Sequence, residues 1–240
     1  YYEILARRLY SQYKERKKYM QFNIRSSGLI NDFGNKIFHI LGCGAIGSSA
    51  ATQLCRMGVE NFILYDMDKV GVENIGVSQF TTKDIGRSKV QALKRQLLDI
   101  NSNISSVLSD GEFKEYFKKL DSRDVVIIGF DNMAIRKQAA ELALSRPNKP
   151  FLLIDGRMGA EQYQQYVFVN PKLKDYMKYW YDDDSASTEP CNAKATSYCS
   201  NMSGSFIANA VKKVMNNEGY SKEFFFQFPN YSLGRSSVIH

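Results

Sequence analysis

The sequence predicts an α/β fold: a doubly wound, mostly parallel sheet with an antiparallel extension and a basic N-terminal helix. Short apolar runs such as Lys36-Ile37-Phe38-His39-Ile40-Leu41 and Asp124-Val125-Val126-Ile127-Ile128-Gly129-Phe130 alternate with stretches of helical periodicity, as buried parallel strands and their crossover helices do. The first of these runs ends in glycines at the start of a helical stretch. No motif recurs at a fixed period, which excludes a solenoid or propeller.

At 240 residues the chain is long enough for one large domain with a real core. We expect a basic helical extension over residues 1–30, the central domain over 31–218 and an aromatic tail over 219–240. Hydrophobic residues at 44% and charged residues at 24% give the balance of a globular protein and exclude a disordered or fibrous one. No apolar run approaches the roughly 18 to 20 residues that span a bilayer, so no membrane partner is expected and the cytoplasm is the default. The opening Tyr1-Tyr2-Glu3-Ile4 has neither a methionine nor a signal-peptide pattern, and the chain is expected to begin inside a longer polypeptide. Net charge is +7, part of it packed between Arg7 and Lys18, where a basic helix suits nucleic acid, an acidic protein or phosphates, or is a solvated face. Cys43, Cys55, Cys191 and Cys199 are too scattered for a disulfide framework and are expected as reduced thiols.

Residues 3–22 set Ile4, Leu5, Leu9, Tyr10, Tyr13, Tyr19 and Met20 close to a helical period, which predicts the basic helix. Turn signals at 26–28 and 31–34 lead into the first strand, where His39 reads as core. A helix over 45–57 and the strand Asn61-Phe62-Ile63-Leu64-Tyr65-Asp66 complete a βαβ unit. The next helix is expected over 86–100, opening after Asp84, with Val90, Leu93, Leu97 and Leu98 on its apolar side. A strand at 124–130, a helix at 133–145 and a strand at 151–155 follow. Aromatic and polar residues alternate from Gln162 to Val169, predicting an antiparallel strand. Residues 182–190 read as a mobile loop, a helix over 200–216 closes the fold, and Glu223-Phe224-Phe225-Phe226-Gln227-Phe228 is expected to form an edge strand or to pack on a partner.

Gly42-Cys43-Gly44-Ala45-Ile46-Gly47 is a GxGxxG loop between a strand and a helix, where bare N–H groups and the helix dipole favour a phosphate. Asp66 ends the next strand, at the separation expected of a carboxylate that grips ribose hydroxyls. Together they predict an adenine nucleotide on a Rossmann-like domain without separating NAD from ATP, and on their own they favour a dinucleotide.

The later motifs separate them. Asp66-Met67-Asp68-Lys69-Val70, Glu73-Asn74, Gln79, Asp84-Ile85-Gly86-Arg87-Ser88-Lys89-Val90 and Gly129-Phe130-Asp131-Asn132 with Arg136 resemble the adenylating domain of ubiquitin-activating enzymes and of ThiF–MoeB-type sulfur-carrier adenylyltransferases, over about residues 35–215. The resemblance implies ATP and Mg²⁺ as cofactors. It implies nucleotide contacts from Gly42, Gly44, Gly47, Asp66, Asp68, Asn74, Gln79, Lys89, Asp131 and Asn132. Lys89 would place a point charge on the phosphates, Asn74 and Gln79 neutral donors, Asp66 the ribose grip and Asp131 a hard oxygen for Mg²⁺. Catalysis would then be positioning plus charge stabilisation, with Asp131 and Lys89 as catalytic residues. The bland readings make Lys89 a surface lysine, Asn74 a turn former and Asp131 a helix N-cap.

The pattern departs from the family at Val77, three residues after Asn74, where relatives carry an arginine. Arg7, Arg8, Arg25, Arg87 and Arg136 are candidates to replace it; relatives often borrow an arginine from a partner's N-terminal segment, so a homodimer is expected. Relatives often hold zinc in two Cys-x-x-Cys pairs, but Cys191 and Cys199 stand eight apart without a second pair, and no zinc is expected. Cys191 is a candidate thioester-forming nucleophile, with Cys199 competing and a half-buried structural thiol as the alternative. Arg157, just past a strand end, is a candidate to grip the substrate carboxylate.

The leading reading is ATP-dependent adenylation of the C-terminal carboxylate of a ubiquitin-like protein, sulfur carrier or peptide ending in glycine. The alternatives are a dehydratase-type relative that activates a carboxylate on tRNA, a dehydrogenase, and a catalytically silent partner subunit. The missing base at Val77 favours the last; the joint presence of Asp66, Lys89 and Asp131 opposes it.

Overall fold

The computed structural model describes residues 24–26, 28–30, 33–109, 120–182 and 195–240. The basic segment Arg7–Lys18, residues 183–190 of the acidic loop and Cys191 lie outside the described residues. The strands in chain order are β1 (Phe38–Leu41), β2 (Asn61–Tyr65), β3 (Ser105–Ser109), β4 (Val125–Ile128), β5 (Leu152–Gly159), β6 (Gln162–Val169), β7 (Tyr220–Ser221), β8 (Glu223–Gln227), β9 (Ser232–Arg235) and β10 (Val238–Ile239). The helices are α1 (Ala45–Arg56), α2 (Val72–Ile75), α3 (Lys89–Ile100), α4 (Met133–Leu144), α5 (Leu173–Tyr176) and α6 (Ser197–Met215).

One eight-stranded sheet runs β3-β2-β1-β4-β5-β6-β8-β9. Its first five strands are parallel, and β6, β8 and β9 extend it antiparallel, as expected for this fold class. From β1 the chain builds outward through β2 and β3, then returns to the other side of β1 for β4 and β5. That reversal opens a crevice between the carboxyl ends of β1 and β4, where open α/β sheets bind ligands.

The pleat assigns the two faces. Phe38, Ile40, Phe62, Leu64, Val125, Ile127, Leu152 and Ile154 pack with Ala50, Ala51 and Leu54 of α1, Leu93 and Leu97 of α3, and Ile207 and Val211 of α6. The alternate residues Leu41, Tyr65, Val126, Ile128 and Leu153 pack with Ala139, Ala140, Ala143 and Leu144 of α4 and Tyr176 of α5. His39 lies on this second face; its ring nitrogens meet Tyr65 Oη at 2.8 Å and Asp124 Oδ2 at 3.3 Å, so it is buried core. No described helix is long and apolar enough to cross a membrane.

Several elements differ from the sequence reading. The helix expected from Gly86 begins at Lys89, because Gly86 has a φ of 83°, in the left-handed region, and its N–H is held by Val70 O at 2.8 Å. The closing helix starts at Ser197, where Thr196 accepts the Cys199 N–H in an N-cap. β3 was not read from the sequence: Ser105-Ser106-Val107-Leu108-Ser109 lacks an apolar run, and only its place beside β2 makes it a strand. The tail strand β8 is interior and not an edge, with β6 on one side and β9 on the other. Phe224 and Phe226 meet Phe206 of α6 at ring distances of 4.4 and 6.0 Å.

Candidate functional site

β1 ends at Leu41 and the chain turns out of the sheet at Gly42, whose φ of 86° favours glycine. A Cβ on Gly42 would meet backbone atoms of Gly129 and Phe130 at 3.0 Å, so the loops after β1 and β4 touch here. Gly47 is held more tightly: a Cβ there would lie 1.8 Å from the Gly42 carbonyl oxygen. Gly44, which precedes α1, faces open space, with nothing within 4 Å of its Cβ position. The first turn of α1 therefore presents bare N–H groups to an uncrowded crevice.

Asp66 follows β2 and is shaped by this loop. Its Oδ2 accepts the Cys43 N–H at 2.7 Å and its Oδ1 the Asp68 N–H at 2.9 Å. Lys89, the first residue of α3, donates to Asp68 Oδ2 at 2.8 Å and stands 4.0 Å from Asp66 Oδ1. Burial pushes the Asp66 carboxyl above its ordinary value, with Lys89 and the backbone donors pulling the other way. For Lys89, burial opposes the charge, but the hydrogen bond to Asp68 and the carboxylates of Asp66, Asp68 and Asp131 leave its pKa raised overall, so it is a firm cation at neutral pH.

The segment before Lys89 is fixed by backbone pairing. Lys89 N–H donates to Asp68 O at 2.9 Å and Val70 N–H to Arg87 O at 2.8 Å. Buried Asp84 anchors the same segment. It accepts the Thr81 N–H and hydroxyl, both at 2.9 Å, and bonds Arg95 at 2.7 Å and Gln96 at 3.1 Å. Burial works against the ionised Asp84, but these donors outweigh it and hold its carboxyl below the usual range.

Asp131 follows β4, is exposed, and lies close enough to Lys89 for its charge to be felt there. Its carboxylate has no hydrogen-bond or ion-pair partner among the described residues. That suits a Mg²⁺ ion, which takes one or two protein carboxylates and fills its remaining positions with water and phosphate oxygens. Among the described residues no cluster of His, Cys, Asp and Glu forms an all-protein metal cage. The helix N-cap is Asn132 and not Asp131: Asn132 Oδ1 accepts the Ile135 N–H at 2.9 Å. Asn74 Oδ1 caps its own short helix through the Gly71 N–H at 2.8 Å, the local role a turn former takes.

Gly42, Gly44, Gly47, Asp66, Asp68, Lys89 and Asp131 are thus drawn to one crevice, and Gln79 is joined to α1 by its backbone N–H to Ser48 Oγ at 3.2 Å. Arg157 is placed differently: β5 runs on to Gly159 because it pairs with β6, so Arg157 lies inside a strand and not past its end. It is 5% exposed, with Nε and Nη2 on Asp155 Oδ2 at 3.0 and 2.7 Å and Nη1 on Tyr179 O at 2.7 Å. Its guanidinium carbon lies over the rings of Tyr166 and Tyr181, 4.5 and 4.9 Å from their centroids. Arg136 is also buried, bonded to Asp155 Oδ1 and to Gly156 O, and Tyr176 Oη donates to Asp155 Oδ2 at 3.1 Å. Both arginines are engaged inside the protein around one acid, Asp155, which no sequence motif had singled out. Arg25 and Arg87 are exposed. Cys43, Cys55 and Cys199 are buried thiols, and burial pushes those of Cys43 and Cys55 up, the latter to about 12.

A glycine loop, a carboxylate bound to it, a held lysine and an exposed aspartate meet where the sheet reverses, in a mostly parallel Rossmann-like domain. The chain belongs to the ThiF family, whose model matches residues 20–238. It is 37% identical over 113 residues to the sulfur carrier protein ThiS adenylyltransferase of Escherichia coli (strain K12), covering 45% of each chain. Over 95 residues it is 35% identical to ubiquitin-like modifier-activating enzyme 5 of Drosophila persimilis, covering 39% of this chain and 25% of that protein. The chain spans under half the length of these curated relatives. Among solved structures it resembles E. coli MccB with ATP at 18% identity and a TM-score of 0.67, over 86% of this chain and 64% of MccB. PaaA matches at 15% identity and a TM-score of 0.67, over 85% of this chain and 64% of PaaA. These two likenesses show a shared fold.

Proposed function

We propose that the chain binds ATP at the carboxyl ends of β1 and β4 and adenylates the C-terminal carboxylate of a ubiquitin-like protein, sulfur carrier or peptide. The observation that carries this reading is the arrangement around Asp66. The glycine loop itself orients the carboxylate through the Cys43 N–H, while Lys89 stands 4.0 Å away, within the field of Asp131. A ribose grip, a phosphate cation and a metal-type carboxylate in one crevice suit ATP better than a dinucleotide that needs a hydride partner. The names of the ThiS and ubiquitin-like relatives, and of MccB structures that include ATP or MccA, agree with it.

Asp66 would hold the ribose hydroxyls. The first-turn N–H groups of α1 and the Lys89 ammonium would face the phosphates, and Asp131 would hold Mg²⁺, which supplies charge neutralisation there. A substrate carboxylate oxygen then attacks the α-phosphorus, the bond to pyrophosphate breaks, and an acyl-adenylate and pyrophosphate form. We read the assembly as a homodimer, with Arg7 or Arg8 of a second copy supplying the base missing at Val77. Cys191 is the residue we assign to take the acyl group as a thioester, with AMP leaving.

ATP:pyrophosphate exchange with Mg²⁺ and a panel of carrier proteins and glycine-ended peptides tests the reading. We expect exchange that depends on one carboxylate partner and falls at least ~100-fold in Asp131→Ala, the scale of losing a charge-stabilising group. ATP binding without exchange across the panel would instead favour a silent partner subunit, or, if tRNA binds in a salt-sensitive way, the tRNA-activating relative.

A further inference from the structure

Gln79 is held from two directions. Its backbone N–H donates to Ser48 Oγ of α1 at 3.2 Å, and its side-chain Nε2 donates to Asn201 Oδ1 of α6 at 2.7 Å. Asn201 sets the sense of the second bond. Its own Nδ2 donates to Ser197 O at 2.9 Å, so its oxygen faces Gln79, and only the nitrogen end of the Gln79 amide satisfies that oxygen. The frame beneath is stiff. Ser200 Oγ donates to Ala45 O at 2.9 Å and Ser49 Oγ to Asn201 O at 3.3 Å, tying the early turns of α6 to those of α1. α1 is the helix that opens on the glycine loop.

A glutamine amide on a surface rotates and exchanges its donor and acceptor ends. Here the nitrogen end is committed, and Oε1 with the second N–H of Gln79 is left without a partner among the described residues. We propose that Asn201 is the positioning residue for Gln79, holding its amide in one orientation beside the first turns of α1 so that a bound nucleotide meets a fixed group. This rests on the ATP reading above. An amide fixed before binding loses less freedom when the ligand arrives, which is where the gain in affinity originates.

Calorimetric titration of ATP with Mg²⁺ into the full chain, as wild type, Asn201→Ala, Gln79→Ala, the double variant and Lys89→Ala, tests the proposal. Asn201 is exposed, so its truncation leaves the core intact. We expect each amide variant to weaken binding roughly five-fold, the effect of losing one net hydrogen bond, and the double variant to bind no more weakly than Gln79→Ala alone. A merely structural Asn201 would add its own factor in the Gln79→Ala background; that result overturns the proposal. So does wild-type affinity in Asn201→Ala while Lys89→Ala binds poorly, and in that case the ATP reading stands without it. A wild type that does not bind ATP overturns both.

Discussion

Asp66 shows how a residue can be held against its own solvation. Burial raises its pKa from the ordinary 3.8, so the folded chain takes up this proton at a higher pH than the unfolded one does. Ionised Asp66 therefore opposes folding at neutral pH, a penalty typical of groups kept for binding. As pH falls, Asp66 protonates earlier than an exposed aspartate would, and in the ribose-holding role proposed for it the carboxyl would lose its hold on hydroxyl donors. ATP affinity measured with Mg²⁺ from pH 7 downward should decline more steeply in the wild type than in an Asp66→Asn variant, which is weaker throughout and keeps only the titration of ATP itself; parallel profiles would remove Asp66 from the nucleotide site. Much at this scale was legible in the sequence. Gly42 and Gly47 stand in a loop pattern, and Asp66 at a strand end, that can be read from residues a few tens of positions apart. The Gln79–Asn201 bond was not legible, because its partners stand 122 residues apart and neither is charged.

Helices and strands were legible where one apolar face decides them. α1, α4, β1, β2 and β4 fall close to their expected ranges, since their buried faces follow the helical or pleated period directly. The start of α3 depended instead on a β-bridge between Lys69 and Ser88, and β3 on the neighbouring β2. The packing of α6 on α1 is likewise a tertiary event that needs glycine. A Cβ on Gly204 would lie 2.2 Å from Ser49 Oγ and 2.6 Å from the Ser49 carbonyl carbon. A hydroxyl can rotate aside, but backbone can yield only if the helices separate. Gly204→Ala is expected to cost about 1–3 kcal/mol, read as a lower urea midpoint with an unchanged m-value. An unchanged midpoint would mean that the two helices separate freely.

Over the whole molecule, the tail is part of the sheet. β8 covers β6, and Phe224 and Phe226 lie against Phe206 of α6. Ending the chain at residue 218 would strip β6 of its outer partner β8, leaving only β5 beside it, and bare Phe206, so that an unpaired strand edge prone to association is left. Such a truncation should be largely insoluble or melt at least ~5 °C lower, the shift expected for the loss of a few kcal/mol in a chain of this size. A truncated chain as soluble and as heat-stable as the full one would show that residues 31–218 are self-sufficient.

The sequence by itself determined the α/β class, the order of the main elements, and the meeting of a glycine loop with a carboxylate at the end of the next strand. These follow from periodicity, backbone stereochemistry and separations of a few tens of residues, all local properties of the chain. Only the tertiary structure decided that Arg136 and Arg157 turn inward to Asp155, that Asn201 reaches Gln79 and that the tail enters the sheet. The physical reason is that a long polar or aromatic side chain is compatible with many partners, and the choice among them is made by whatever the folded backbone brings within about 3 Å, the reach of a hydrogen bond.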